Sequence, residues 1–253
     1  MNQNSMFYWW PKVKNLSIPQ PQTIMVEIPD LNLNVLDGKP DQNYSNFLVA
    51  VEGAAKQIGF PCFIRGDQCS NKHDWKESCY VPDKKSVRSH VRNIIEFTYM
   101  VDMLGEMDFK GVAVRELLDL VQAFKAFWGK MPVCCERRYF AKDGKVVCWH
   151  PYWPPMSIKM PSIKNWQQAL ARLQTASTFE IELLTEHAET ISKEVGGYWS
   201  IDFCKTKTGK WYLTDMATAD TSFHWPTCSH APPEMLKQYG DPEKIDSESV
   251  YDD

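Results

Sequence analysis

The chain has 253 residues, of which 43% are hydrophobic and 24% are charged, and its formal net charge is −4 at pH 7. This composition is typical of a globular protein. The acidic balance argues against nonspecific binding to a nucleic-acid backbone, while leaving room for a local basic cleft. No stretch stays apolar over the roughly 18 residues that a membrane span requires, and the N-terminus lacks the basic and apolar regions of a secretory signal.

Eight cysteines in a chain of this length do not form the dense pattern of a disulfide framework. We expect buried free thiols and a reducing, cytoplasmic location, which would be the host cytoplasm if the protein is viral. Cys62, Cys69, Cys79 and His73 lie near one another in sequence, but their spacing matches no zinc module.

The elements of the first half follow from hydrophobic periodicity and capping residues. Residues 1–42 are rich in Pro, Asn and Gln and contain one predicted strand, over 23–28. The run 112–117 fits a strand but could equally begin a helix. Between these two runs we predict a helix over 45–58 with Ser45 as its N-cap, a strand over 62–65, a polar loop over 66–75 and a helix over 84–104.

Two β-hairpins give the clearest local signals. The first covers residues 134–153 and turns at Asp143-Gly144, a favoured type I′ pair. The second covers residues 198–217. Helices are predicted between the hairpins, and helices placed between antiparallel hairpins indicate an α+β fold rather than a doubly wound parallel sheet.

The two helices between the hairpins have distinct start signals. One is predicted to begin near Asn165, and the other at a capping box formed by Ser177 and Glu180. After Trp225 the chain becomes polar and acidic, which is typical of a flexible tail.

The second hairpin predicts a pair of carboxylates. If its loop is Thr208-Gly209 or the four residues 207–210, Asp202 faces Asp215 across the strands. Their Cβ atoms would then be about 4.5–5.5 Å apart on one side of the sheet. Such a pair repels unless a cation lies between its members, and hard oxygen ligands suit Mg²⁺. The alternative is two exposed side chains that pair with neighbouring lysines.

Cations that could contact Mg²⁺-bound phosphates occur at three positions. Arg138 lies on the first hairpin, where an even register would place it opposite Trp149 and restrain its planar guanidinium. A surface arginine stacked on an aromatic ring is the alternative. Arg65 and Lys72 bracket the small, polar loop 66–71, which has the character of a phosphate-contacting loop without matching a Walker motif.

In this order, the segments resemble the ATP-grasp superfamily, and within it the divergent clade of the cell-division-cycle-123 proteins and their phage-encoded relatives. The resemblance covers about residues 60–220. It rests on the order and spacing of the short motifs Phe63-Ile64-Arg65, Ser70-Asn71-Lys72-His73-Asp74-Trp75, Val112-Ala113-Val114-Arg115-Glu116-Leu117, Glu136-Arg137-Arg138-Tyr139-Phe140, Ile201-Asp202-Phe203 and Tyr212-Leu213-Thr214-Asp215-Met216.

The resemblance implies an ATP-grasp fold, in which two antiparallel-sheet subdomains with packed helices enclose a nucleotide cleft. We therefore expect an N-terminal region over 1–110 that includes the phosphate-contacting strand and loop, a catalytic subdomain over 111–228 and an acidic tail over 229–253.

The resemblance also implies ATP and Mg²⁺ as cofactors and assigns site residues. Lys72, together with Arg65, would bind phosphate, and Arg138 would neutralise the γ-phosphate and the acyl-phosphate formed from it. Asp202 and Asp215 would hold Mg²⁺. The strand Arg115, Glu116 and Leu117 would be the hinge whose backbone contacts adenine.

One position departs from the family pattern. Superfamily members usually carry Asn two residues beyond the second acidic ligand, and this chain has Ala217 there. Either Asp220 or a water would replace the missing ligand, or metal binding would be weaker.

Three functions are compatible with this interpretation. The first is an ATP-dependent ligase that joins an unidentified carboxylate to an amine, with a protein or peptide as one candidate substrate. The second is an ATP-binding assembly factor like the cell-division-cycle-123 proteins, which are tied to assembly of a translation initiation factor. It would bind its partner through the aromatic residues 149–153 or the acidic tail. The third is an ATP-dependent RNA ligase in which Arg137 and Arg138 grip a single strand. No membrane partner is expected.

Overall fold

The computed structural model describes residues 2–102, 108–225 and 227–233. The chain divides into two compact units. The first comprises Met1–Pro11, Gln20–Asp119 and Lys125–Pro132, and the second comprises Lys12–Pro19, Leu120–Phe124 and Val133–Asp253.

The part of the chain before residue 119 forms a four-stranded antiparallel sheet with the order β1-β4-β2-β3. Its elements are α1 (Met6–Val13), β1 (Thr23–Glu27), α2 (Gln42–Ile58), β2 (Cys62–Gly66), β3 (Tyr80–Val81), α3 (Val87–Asp102) and β4 (Gly111–Glu116).

The ambiguous run 112–117 is therefore a strand. It pairs with β1 on one side and β2 on the other, and Val112, Ala113 and Val114 are completely buried. Because these hydrogen bonds belong to the first sheet, β4 lies in the first unit, whereas the sequence placed the boundary at residue 110.

Two helix starts differ from the prediction. Asp41, not Ser45, caps α2, because its carboxylate accepts a hydrogen bond from the Tyr44 amide at 2.7 Å. The predicted helix from residue 84 begins as a 3₁₀ turn, Lys84–Ser86, and continues as α3 from Val87. Its predicted last residues, 103 and 104, lie outside the described part of the chain.

The second unit is built around another four-stranded antiparallel sheet, with the order β10-β9-β7-β8. A separate two-stranded sheet of β5 and β6 precedes it and was not predicted. The elements are β5 (Gln122–Ala126), β6 (Met131–Cys134), β7 (Glu136–Lys142), β8 (Lys145–Pro151), α4 (Trp166–Gln174), α5 (Thr178–Val195), β9 (Tyr198–Lys205) and β10 (Trp211–Thr218).

Capping residues set the helices of this unit. The predicted capping box is present at α5: the Ser177 hydroxyl accepts from the Glu180 amide, and the Glu180 carboxylate accepts from the Ser177 amide. At the C-terminal end of α4, the buried Arg137 donates to the carbonyls of Leu173 and Thr175 at 2.8 and 2.9 Å. These bonds satisfy C-terminal carbonyls that the helix cannot pair itself.

The first hairpin, β7–β8, turns at Asp143 and Gly144, which both have positive φ as a type I′ turn requires. A β-bulge between Phe140 and Ala141 shifts the register by one residue. The partner of Arg138 on β8 is consequently His150, and the prediction of Trp149 was wrong.

The second hairpin, β9–β10, pairs Lys205 with Trp211, so its loop has an odd number of residues and not the even number we expected. A bulge at Thr214 then restores the predicted register, and Asp215 pairs with Asp202. The predicted pairing is confirmed, but it arises from two irregularities that cancel.

The two faces of this sheet have different surroundings. One face packs on α5, where the Tyr139 hydroxyl donates to the Ile181 carbonyl at 3.4 Å. The opposite face, called the distal face below, carries Arg138, Phe140, Ser200, Asp202 and Asp215, as the register of β7, β9 and β10 requires. The functional residues predicted in this unit therefore share one side of the sheet.

Among the helices that the structure describes, none combines the length and apolarity needed to cross a membrane. Most of the predicted acidic tail, from residue 234 onward, lies outside the described residues.

Candidate functional site

Arg138 and Asp202 form a bidentate ion pair across β7 and β9. The Arg138 Nε and Nη2 atoms donate to the two carboxylate oxygens of Asp202, each at 2.8 Å. The side chains are only 15% and 4% exposed. The guanidinium also lies 4.6 Å from the centre of the Tyr152 ring. Tyr152, and not the predicted Trp149, therefore supplies the aromatic contact that orients Arg138.

The electrostatic balance of this pair keeps Arg138 charged. Burial acts to lower the pKa of Arg138, but the adjacent Asp202 carboxylate outweighs it and raises the pKa above its ordinary value. The result is a permanent, oriented cation on the distal face. A planar guanidinium of this kind is suited to bind phosphate through two parallel hydrogen bonds.

Asp215 lies on β10 directly opposite Asp202. It is half-buried, and its Oδ1 atom accepts a hydrogen bond from the Met216 amide at 2.9 Å. Arg138, Asp202 and Asp215 thus form a row across three adjacent strands, called the distal row below. The row holds one positive and two negative charges. Hard carboxylate oxygens with a net negative charge fit a Mg²⁺ ion that keeps waters and phosphate oxygens as its other ligands.

The third metal ligand expected near Ala217 is not supplied by Asp220 in this structure. Ala217 pairs with Ser200, whose hydroxyl lies 3.3 Å from the Ala217 carbonyl oxygen and 2.6 Å from the Ser222 hydroxyl. Asp220 is exposed and acts on Tyr198, at the far end of β9 from Asp202. Burial, followed by the neighbouring Cys148, Cys228 and Asp220, raises the pKa of Tyr198 to about 12.

Two histidines that the sequence did not identify flank Arg138. His150 pairs with Arg138 across the first hairpin, and His224 stacks on Phe140 with ring centres 3.5 Å apart. Burial, with an added contribution from the Arg138 charge, lowers the pKa of each histidine to about 4. Both imidazoles are therefore neutral at pH 7, which leaves Arg138 as the cation of this region of the distal face.

Arg65 and Lys72 lie in the first unit, around the loop that follows β2. Arg65 is buried, and its Nε atom donates to the Gly66 carbonyl at 3.1 Å. Lys72 begins a short 3₁₀ turn after Asn71, which has a left-handed backbone. Burial raises the pKa of Cys79 to about 12, while the charges of Arg65 and Lys72 act to lower it. The fold therefore brings both cations near one thiol, as expected for a loop bracketed by cations.

The predicted adenine hinge has a structural task as well. The Arg115 side chain donates to the Thr23 hydroxyl at 3.1 Å and lies over the Trp10 ring, and the Glu116 amide donates to the Gln22 carbonyl at 2.9 Å. Leu117 follows the last residue of β4. Since Arg115 and Glu116 are held by the sheet, Leu117 is the position of the three where the backbone leaves it.

Comparison with solved structures places this architecture in the ATP-grasp class. Cdc123 from Schizosaccharomyces pombe superimposes with a TM-score of 0.55 at 9% sequence identity, covering 98% of this chain and 93% of that one. The biotin carboxylase domain of the Hydrogenobacter thermophilus 2-oxoglutarate carboxylase, solved with MgADP and bicarbonate, gives a TM-score of 0.51 at 11% identity. That match covers 85% of this chain but only 40% of the carboxylase domain. At these identities the likeness concerns the fold alone.

The sequence identifies the family within that class. Residues 53–231 match the sequence model of an ATP-grasp domain, family 3 of its clade, and the chain belongs to this family. A comparison with curated proteins finds no match. The resemblance to a divergent ATP-grasp clade, stated from short motifs, is thereby confirmed.

Proposed function

We propose that this protein binds ATP with Mg²⁺ and uses it to activate a carboxylate as an acyl-phosphate, which an amine then attacks. Membership of an ATP-grasp family supports ATP as the nucleotide. The observation that carries the proposal is the distal row, in which a bidentate Arg138–Asp202 pair lies beside Asp215.

In this proposal Asp202 and Asp215 hold Mg²⁺, and Arg138 faces the phosphoryl group that is transferred. The ion supplies positive charge to the phosphate oxygens, and the chain's own residues supply position. Arg138 has both of its donors on Asp202 in the nucleotide-free molecule. Mg²⁺ bound at Asp202 would compete for those oxygens and redirect the guanidinium toward the phosphate. Such positioning and charge neutralisation require no nucleophile from the protein.

In the first unit, Lys72 and Arg65 are proposed as phosphate-binding residues and Leu117 as the adenine-contacting position. The proximity of the two cations to Cys79 supports the first assignment. The burial of Arg65 favours Lys72 as the residue that contacts phosphate directly.

The test is MgATP binding by calorimetry, followed by a search for acyl-phosphate. The protein is incubated with MgATP, hydroxylamine and a panel of amino-acid and peptide carboxylates, and both ADP and the trapped hydroxamate are quantified. We expect ADP and hydroxamate in equal amounts with a suitable carboxylate. Arg138→Lys, which keeps the charge but loses the fork, should lower the rate at least tenfold. Lys207→Ala, in the hairpin loop, is the matched control. Absence of MgATP binding would overturn the proposal.

A nucleotide-binding assembly factor is the second candidate. It is favoured by the likeness to Cdc123 over nearly the full length of both chains and by Ala217 at a position where a metal ligand is usual. Tight MgATP binding without ADP formation, together with a stoichiometric co-purifying protein, would select this function. The RNA-ligase alternative loses support, because Arg137 is buried against the end of α4 and cannot grip a nucleic acid.

A further inference from the structure

A second group of potential metal ligands lies on the distal face, separate from the two aspartates. Cys148, on β8, meets His224 and Cys228 from the segment that follows β10. The three ligand atoms lie within 4.8 Å of one another, and Cys148 Sγ is 3.9 Å from His224 Nδ1. None of the three residues is exposed, and both cysteines are free thiols.

The chemistry of these three side chains selects the metal. Two thiolates and an imidazole are soft and borderline ligands, which favour zinc over the Mg²⁺ expected at carboxylates. Tetrahedral zinc with Zn–S bonds of about 2.3 Å and Zn–N bonds of about 2.0 Å separates its ligand atoms by about 3.5–3.8 Å. The observed spacing therefore needs only a contraction of about 1 Å or less. A three-residue set leaves the fourth position to solvent.

We propose that Cys148, His224 and Cys228 bind one Zn²⁺ ion. The metal would tie the segment around His224 to β8, which is an edge strand of the sheet. His224 stacks on Phe140, two residues from Arg138 on β7. Zinc would thus fix the chain that covers the distal face beside the Arg138–Asp202 pair, and its role would be structural.

The test is the zinc content of the full-length, untagged protein, purified anaerobically and dialysed, by elemental mass spectrometry. We expect one zinc per chain, and less than a tenth of that in Cys148→Ser and in Cys228→Ser. Cys69→Ser is the matched control, since Cys69 is also a half-buried free thiol but lies in the first unit. It should retain full zinc content.

Cobalt substitution gives an independent readout. Protein stripped of metal and refilled with Co²⁺ should show thiolate-to-cobalt charge transfer and the intense visible bands of a tetrahedral site, and Cys228→Ser should lose the charge-transfer intensity. Circular dichroism identifies any variant that fails to fold, and Cys228→Ser, in a loop, guards against that outcome for Cys148→Ser. Equal zinc in wild type and both folded variants, no thiolate–cobalt band, or a Cys148–Cys228 disulfide in the fresh protein would each overturn the proposal.

Discussion

Arg138 contacts a carboxylate and an aromatic ring and has a neutral imidazole as its cross-strand neighbour, and each of these limits a different freedom. Asp202 fixes the two donors, Tyr152 fixes the plane, and His150 occupies the neighbouring position on β8. A side chain held in this way loses little entropy when phosphate replaces a carboxylate as its partner. The ion pair is therefore best understood as a preformed anion site.

The two aspartates should differ in what they contribute. Asp202→Asn leaves the buried Arg138 charge uncompensated, and we expect a loss of about 3 kcal/mol in the free energy of unfolding, together with loss of MgATP binding. Asp215→Asn keeps an oxygen for the Met216 amide, so it should weaken MgATP binding at least tenfold at a stability cost below about 1 kcal/mol. Urea unfolding and calorimetry measure the two quantities.

The double variant Asp202→Leu/Arg138→Leu is the control for this comparison. Removing both charges should recover much of the stability that Asp202→Asn loses, because no unpaired charge stays buried. A double variant that is less stable than Asp202→Asn would show that the ion pair is not the cause.

His150 should make the protein acid-sensitive. Its pKa is about 4 in the folded chain and near the ordinary 6.5 when unfolded, so the unfolded state binds more protons below pH 6.5. Stability is fully present above about pH 6.5 and falls by up to about 3 kcal/mol as the pH approaches 4. His150→Leu should flatten the profile in urea unfolding, while the exposed His230→Gln leaves it unchanged. An unaltered slope in His150→Leu would contradict this assignment.

At the scale of elements, α5 is joined to the second sheet by one side chain. Glu180 closes the capping box, accepts a hydrogen bond from Lys205 and receives another from the Trp211 indole. Although burial opposes it, the Lys205 contact lowers the pKa of Glu180 to about 2. Because the carboxylate is favoured in the folded state, this contribution is present above about pH 4.5 and is lost as the pH falls toward 2.

We therefore expect Glu180→Gln to destabilise the protein more than Ser177→Ala. The serine variant loses one cap, worth about 1 kcal/mol, whereas the glutamine variant weakens the cap and the ion pair together. Thermal and urea unfolding at pH 7 compare the two. Equal losses would mean that the Lys205 contact contributes nothing to stability.

The pairing of Asp202 with Asp215 shows what local sequence can and cannot determine. Strand alternation and the turn residues placed both aspartates on adjacent strands, but the sequence carries no signal for an odd loop or for the bulge at Thr214. A register depends on the sum of such irregularities. At the first hairpin only the bulge occurs, and the predicted partner of Arg138 was accordingly off by one residue.

For the whole molecule, the sequence was sufficient where signals are local and insufficient where they are distant. The α5 capping box, the Asp143-Gly144 turn and the ATP-grasp motifs are contiguous, and all are borne out. The cluster of Cys148, His224 and Cys228 joins positions 76 residues apart, as the Cys148–His224 contact shows. Such a cluster forms only when β8 and the chain after β10 meet on one face.

Binding of nucleotide should stabilise the whole chain by mass action. MgATP at about 100 times its Kd should raise the free energy of unfolding by about 2.7 kcal/mol, provided that only the folded state binds. Denaturant unfolding with and without MgATP measures this shift. Asp215→Asn at the same MgATP concentration should show a clearly smaller shift, and a full shift in that variant would place the metal elsewhere.

The bulges have a further consequence, for the behaviour of many copies of the chain together. In the order β10-β9-β7-β8, both strands that pair irregularly with their neighbours, β8 and β10, are the outer ones. The Leu213 amide of β10 is also taken by the Pro19 carbonyl. A strand from another molecule would need an uninterrupted row of backbone donors and acceptors to extend the sheet. The same irregularities that set the position of Asp215 therefore disfavour aggregation through the borders of this sheet.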